Sequence, residues 1–305
     1  MTTAKKLKVL VYGATGTQSG PVVEKLLESG HQAFVFTRQR EKAAQLARLG
    51  AVVVEGEMTD GEAVRRASEG MDAVSLLVPF GAPDPVTLGE YAVDAAHAAG
   101  VGLIVWNTSG PIPPAPTGNP SYDLRRHLVD YLGRSGVPHI TLVPGVYAEN
   151  LLGPWNAPAV AHRNQVTYPT PADMVLAWLP CADLAALTVA ALERPHLAGS
   201  TFHVSGAEPL DGDELAGRFA QALGRDITYR PLPPAEFEGI LSGLMPAPVA
   251  AEVAGEYQRM WDYPERRPVF TTDMRPVLEA LPVQLTPMRE WVKRYAAAFS
   301  TSVPA

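Results

Sequence analysis

Three groups of residues in this chain have types and spacings suited to chemistry. The first is in "VLVYGATGTQSG" (Val9–Gly20), where Gly13, Gly16 and Gly20 follow a short apolar run directly. A strand that enters such a turn and then a helix aims backbone N–H groups and a helix N-terminus at an anion, so a dinucleotide phosphate is the expected ligand. In that arrangement Gly13 permits the tight turn, Gly16 lets the backbone approach a pyrophosphate, and Gly20 lets the helix pack close to the sheet. Thr15, Thr17 and Gln18 add side-chain donors at the same place.

The second group follows the second apolar run, "FVFTRQREK", where Thr37, Arg38, Arg40 and Lys42 stand in place of the carboxylate that would bind the ribose hydroxyls of NAD. Arginine forms a bidentate, charge-assisted pair with a phosphate, so NADP(H) is the expected coenzyme and Arg38, nearest the strand end, its contact. Arg40 and Lys42 read equally well as solvated residues at the start of a surface helix. The third group lies in "SYDLRRHLVDYLGRSG" (121–136), where Tyr122 and Arg126 are four residues apart and share one helix face. A neighbouring cation favours the phenolate, which suits a tyrosine that donates and recovers a proton. An arginine stays protonated and relays none. The six lysines (5, 6, 8, 25, 42 and 293) all lie away from this helix. The plainer reading beside it is a half-buried aromatic at a helix start, with Arg125 and Arg126 on a solvated face.

Positioning these groups requires a regular scaffold. Apolar runs at "QAFVF" (32–36), "AVVVE" (51–55), "DAVSLLV" (72–78), "GLIVW" (102–106) and "HITLV" (139–143) read as buried strands. Amphipathic stretches separate them, most closed by a glycine suited to a helix C-cap: Gly30, Gly50, Gly70, Gly100 and Gly136. Strands apolar on both faces need helices above and below, which predicts an α/β fold with a doubly wound, Rossmann-type parallel sheet and its ligand at the carboxyl ends of the strands. A helix at Ala182–Leu192 and a late strand, "STFHVSG" (200–206), are expected to rejoin the sheet. The expected domains are therefore 1–155, with return elements near 182–206, and a smaller, mostly helical lobe over 156–305. That lobe carries helices near Gly212–Leu223 and Pro287–Phe299, with a proline-punctuated middle.

Composition narrows the class of partner. With 305 residues, 47% hydrophobic and 19% charged, and a net charge of −7, the chain has material for a core and no electrostatic reason to bind nucleic acid or an anionic membrane. No run of about 18 apolar residues occurs, and the expected location is the cytoplasm. One cysteine, Cys181, rules out an internal disulfide, and the histidine spacing suggests no metal site. Cys181 reads as a small core residue at a helix start capped by Asp183, and His97 and His127 as structural or surface histidines.

The stretches "YGATGTQSG", "TR" after the second strand, "GVPHITLVPGVYAENLL" (136–152) and "ADLAALTVAALERPHLAGSTFHVSG" (182–206) together resemble the NmrA-like family of atypical short-chain dehydrogenases over most of the chain. The resemblance implies that Gln18 matches the family's Gly-x-x-Gly-x-Gln turn, with Ser19 where glycine is frequent. It implies that Arg38 contacts the 2′-phosphate, that Asp60 lies near the adenine, and that Tyr147 and Asn150 lie beside the nicotinamide. Pro79 joins this coenzyme-binding set. In "NTSGPIPPAPTGNPSY" (107–122), Asn107, Thr108 and Ser109 stand where such enzymes face the substrate or the nicotinamide ribose. Aligning backwards from Gly136 puts Arg125, not Arg126, at the position usually held by a catalytic lysine, where it joins the coenzyme-binding set, with Ser121 four residues before it. The two registers remain alternatives. Members of the family include NADPH-dependent reductases of quinones and other unsaturated compounds, and non-catalytic NADP(H) sensors. The expectation is an oxidoreductase acting on a small apolar acceptor, with Trp155, Tyr168, Trp178 and "YQRMWDY" (257–263) as pocket wall or lobe core. The alternative is a redox sensor working through a protein partner; a homo-oligomer is compatible with either.

Overall fold

A computed structural model of the chain describes residues 6–266 and 270–301. The strands are β1 (Lys8–Val11), β2 (Gln32–Thr37), β3 (Val52–Glu55), β4 (Ala73–Leu76), β5 (Leu103–Asn107), β6 (His139–Pro144), β7 (Val146–Tyr147), β8 (Gln165–Tyr168), β9 (Trp178–Leu179), β10 (Thr201–Val204) and β11 (Thr228–Pro231). The helices are α1 (Gly20–Glu28), α2 (Ala44–Arg48), α3 (Gly61–Ser68), α4 (Pro85–Ala98), α5 (Pro120–Ser135), α6 (Ala157–Arg163), α7 (Cys181–Leu192), α8 (Gly212–Leu223), α9 (Pro234–Leu241), α10 (Ala247–Asp262), α11 (Met274–Ala280) and α12 (Met288–Arg294). They fall into two compact units. The first comprises the chain up to Pro144 with Cys181–Val204 and Arg275–Val283; the second comprises Gly145–Pro180, Ser205–Met274 and the residues from Gln284 onward.

The first unit is built on a seven-stranded parallel sheet of order β10-β6-β5-β4-β1-β2-β3. Every residue of β4 and β5 is buried, as the near-continuous apolar runs require of strands covered on both faces. Leu10, Val74, Leu76, Ile104 and Trp106 pack with Val64 of α3, Ala92 and Val93 of α4, and Leu128 and Leu132 of α5 into one core. At Gly89 of α4 an added Cβ would lie 3.2 Å from Leu128 Cδ1, so glycine sets how closely α4 and α5 approach. The five glycines read as helix stops all have positive φ, and Gly136 ends α5 in the left-handed conformation at +76°. The late strand rejoins the sheet as expected: β10 pairs with β6 in parallel, Thr201 opposite Thr141. Cys181 is buried at the first position of α7, and Asp183, also buried, stands in the first turn of that helix.

The second unit holds two short parallel pairs, β8 with β11 and β7 with β9, among α6, α8, α9, α10 and α12. The helix expected at Gly212–Leu223 is α8, opened by a full capping box between Asp211 and Glu214. The one expected at Pro287–Phe299 is divided into α12 and a separate single 3₁₀ turn over Ala296–Phe299. In the proline-punctuated middle, the structure instead forms α9 and α10. Their prolines sit at or just inside the N-termini, where a missing N–H and a fixed φ do no harm. Tyr168 and Trp178 are buried in this unit's core, ring centroids 4.8 Å apart. No helix among the described residues is long and apolar enough to cross a membrane.

Candidate functional site

Within the first unit β1 lies between β2 and β4, so the chain winds outward in one direction through β2 and β3 and in the other through β4, β5, β6 and β10. That reversal opens a crevice at the carboxyl ends of β1 and β4, where ligands of open parallel sheets bind. The glycine-rich turn emerges there. Gly13 has φ +68°, Gly16 N–H donates to Gly13 O (2.9 Å) and Gly20 N–H to Gly16 O (2.9 Å). Thr15, Gly16 and Thr17 are exposed, whereas Ser19, the departure from glycine, is buried at the N-cap of α1. A Cβ at Gly16 would stand 3.2 Å from Gly13 O, so the turn is already tight before any ligand approaches.

Gln18 ties this turn to the end of β5. Its Nε2 donates to Ser109 Oγ (2.9 Å), its Oε1 accepts from Asn107 Nδ2 (3.0 Å), and Ser109 N–H donates to Asn107 Oδ1 (2.8 Å). Thr108 is buried and donates its hydroxyl to Gly110 O (2.6 Å). The two arginines of α5 serve the same loop. Arg125, only 6% exposed, donates to the carbonyls of Thr108, Ser109 and Pro111. Arg126 donates to those of Pro113 (3.1 Å) and Pro114 (2.8 Å). Tyr122 is half-buried; its ring meets Phe80 edge-on at 5.7 Å, and the guanidinium over its face, 5.1 Å from the centroid, is that of Arg125. Ser121 Oγ accepts from Gly81 N–H (3.2 Å).

The remaining sequence-derived residues divide by unit. Arg38 is exposed one residue beyond β2. Asp60 caps α3, its Oδ1 accepting from Glu62 N–H (3.0 Å) and Ala63 N–H (3.1 Å). Pro79 is exposed in the turn after β4. Tyr147, buried on β7, and Asn150, whose Nδ2 donates to Tyr168 Oη (3.2 Å), belong to the second unit. Tyr168 also shares a hydrogen bond with Tyr257 (2.8 Å), and burial pushes its phenol pKa up. His127 bonds Glu90 (2.8 Å), a structural role as read from the sequence. Two participants escaped the sequence reading: Phe80, and the carbonyl bonds of the arginines. The aromatic in "VPFG" was a usable signal for the first. The second joins residues far apart in sequence and carried none.

A profile of the NmrA-like family matches residues 5–292. The chain belongs to the NmrA-like family. Among NmrA-like and related proteins it is 26% identical over 298 residues to the NAD(P)H azoreductase of Xenophilus azovorans, covering 96% of this chain and 100% of the relative. It is 27% identical over 293 residues to the (4-alkanoyl-5-oxo-2,5-dihydrofuran-3-yl)methyl phosphate reductase of Streptomyces griseus subsp. griseus, covering 96% and 99%. In structure it is similar to the NADPH-dependent quinone oxidoreductase QOR2 of Escherichia coli complexed with NADPH, at a TM-score of 0.77 and 22% identity over 95% of this chain and 100% of that one. That last likeness concerns the fold.

Proposed function

We propose that this NmrA-like protein is an NADPH-dependent oxidoreductase that reduces a small, flat, apolar acceptor such as a quinone or an unsaturated carbonyl compound. The observation that carries the reading is the convergence, at the carboxyl ends of β1 and β2 in one unit, of an exposed glycine-rich turn and an exposed arginine where an NAD-binding chain would carry a carboxylate. The near end-to-end similarity to two reductases supports it. The turn fits a pyrophosphate, since its exposed backbone at Thr15–Thr17 bears no side chain at Gly16 and a Cβ there would already crowd Gly13 O. NADPH, when bound, supplies the hydride.

The chain's own residues bind, orient and hand over a proton. In this reading Gly13, Thr15, Gly16, Thr17 and Gln18 hold the phosphates, Arg38 the 2′-phosphate, and Thr108 the ribose side of the nicotinamide. Asp60 and Pro79 follow β3 and β4 at the same end of the sheet. Tyr122 is the proton donor for a carbonyl acceptor, its ring faced by the Arg125 charge. The test is a titration with NADPH, followed by a screen of quinones and enals for loss of nicotinamide absorbance. On an accepted carbonyl, Tyr122→Phe is expected to lower turnover about 100-fold with NADPH affinity nearly unchanged. Full activity of that variant would assign the proton to water or another group.

One observation favours a second reading, a non-catalytic NADP(H) sensor acting through a protein partner. Arg125 and Arg126 donate to loop carbonyls, and no guanidinium relays a proton. NADPH binding with no turnover on any acceptor would decide for it.

A further inference from the structure

The loop after β5 is held in a conformation its residues do not favour. Ser109 has φ +58°, in the left-handed region that a serine seldom occupies, and Gly110 follows at +143°. Arg125 explains how the loop stays there. Its Nε donates to Thr108 O (2.9 Å), Nη2 to Ser109 O (3.1 Å) and Nη1 to Pro111 O (2.9 Å). The donors of a guanidinium point in fixed directions, so these carbonyls can meet one side chain only if the chain folds back on itself over 108–111. Gly110 lets the guanidinium lie close, since a Cβ there would stand 3.0 Å from Nη2. The left-handed turn in turn sets where the Ser109 hydroxyl and N–H point. The hydroxyl accepts from Gln18 and the N–H donates to Asn107, which holds the other end of the Gln18 amide.

We propose that Arg125 is a positioning residue: it fixes the 108–111 turn, and through Ser109 and Asn107 it holds Gln18 of the glycine-rich turn in the orientation that receives the coenzyme. Arg125 therefore acts by the shape of its fork, whereas a ligand contact at that position would act by its charge. The coenzyme part of this statement rests on the NADPH reading above; the part concerning the turn does not. Lysine separates the two roles, because it keeps the charge and loses the fork.

The experiment compares the parent with Arg125→Lys, Arg125→Gln and Ser109→Gly by amide hydrogen exchange without coenzyme and by NADPH titration. Both Arg125 variants are expected to speed exchange at the Ser109 amide and to raise the NADPH Kd about tenfold or more, with lysine giving no rescue. Ser109→Gly accepts the left-handed conformation freely but removes the hydroxyl that accepts from Gln18, so this background is read by exchange alone: Arg125→Lys should speed exchange at position 109 less there than in the parent. Should Arg125→Gln fail to fold, the Lys and Gly variants complete the cycle by themselves. Retained protection and affinity in Arg125→Lys would overturn the proposal, as would faster exchange at Ser109 with unchanged affinity. A parent that binds no NADPH overturns the coenzyme reading instead, and the exchange rate at Ser109 then decides whether Arg125 sets the turn.

Discussion

Single residues decide which coenzyme this site prefers. Arg38 is exposed at the end of β2, where an NAD-binding chain would carry a carboxylate. NADPH is therefore expected to bind more tightly than NADH, and Arg38→Ala to remove most of the difference, on the order of 1–3 kcal/mol for a charge-assisted hydrogen bond. Parallel titrations of both coenzymes check this; equal affinities in the parent would refute it. The α5 arginines teach a different lesson at this scale. Residue type and i, i+4 spacing pointed to Arg126 as the cation beside Tyr122, yet the guanidinium over that ring is Arg125, three residues on. Spacing reports which positions share a helix face. It does not report which way a long side chain turns, and both arginines turn toward carbonyls more than ten residues upstream.

At the scale of elements, the strands and helix stops of the first unit were legible because each rests on local causes: apolar runs for β1 to β6, and glycines able to take positive φ at the ends of the helices. Helices α9 and α10 were not, because prolines that normally break a helix here open one. The loop between β5 and α5 was legible only as a loop. Its far end is fastened to α5 by Asp123, whose carboxylate accepts from the N–H groups of Thr117 (2.7 Å) and Gly118 (2.9 Å). Those bonds, the Thr117 N–H first, hold the Asp123 pKa below the usual aspartate value, against a smaller opposing effect of burial. A carboxyl with a lowered folded pKa contributes stability above its unfolded pKa and loses it as pH falls through the folded one. Below about pH 4 the segment around Thr117 should therefore become more open to pepsin, and Asp123→Asn should flatten that pH dependence. An unchanged profile in the variant would show that another group fastens the loop.

For the whole molecule, two compact units imply two bodies whose melting need not coincide. NADPH at about 100 times its Kd should add about 2.7 kcal/mol to the unit that binds it. A calorimetric scan is expected to show the transition of the first unit raised, with exchange protection gained in residues 12–20 and 107–111. Protection gained equally in the second unit, with no turnover on any acceptor, would instead favour the sensor. The pairing of β6 with β10 has a further consequence, for the order in which the protein can be made. Everything from Gly145 to Pro180 and then α7 must leave the ribosome before β10 exists. At about 5–20 residues per second, the sheet waits several seconds with β6 as a bare edge. Such an edge, apolar and unpaired, is open to pairing with a neighbouring chain. The same holds for a fragment cut after the first unit's continuous stretch, which would carry the whole glycine-rich turn and still lack the strand that closes its sheet.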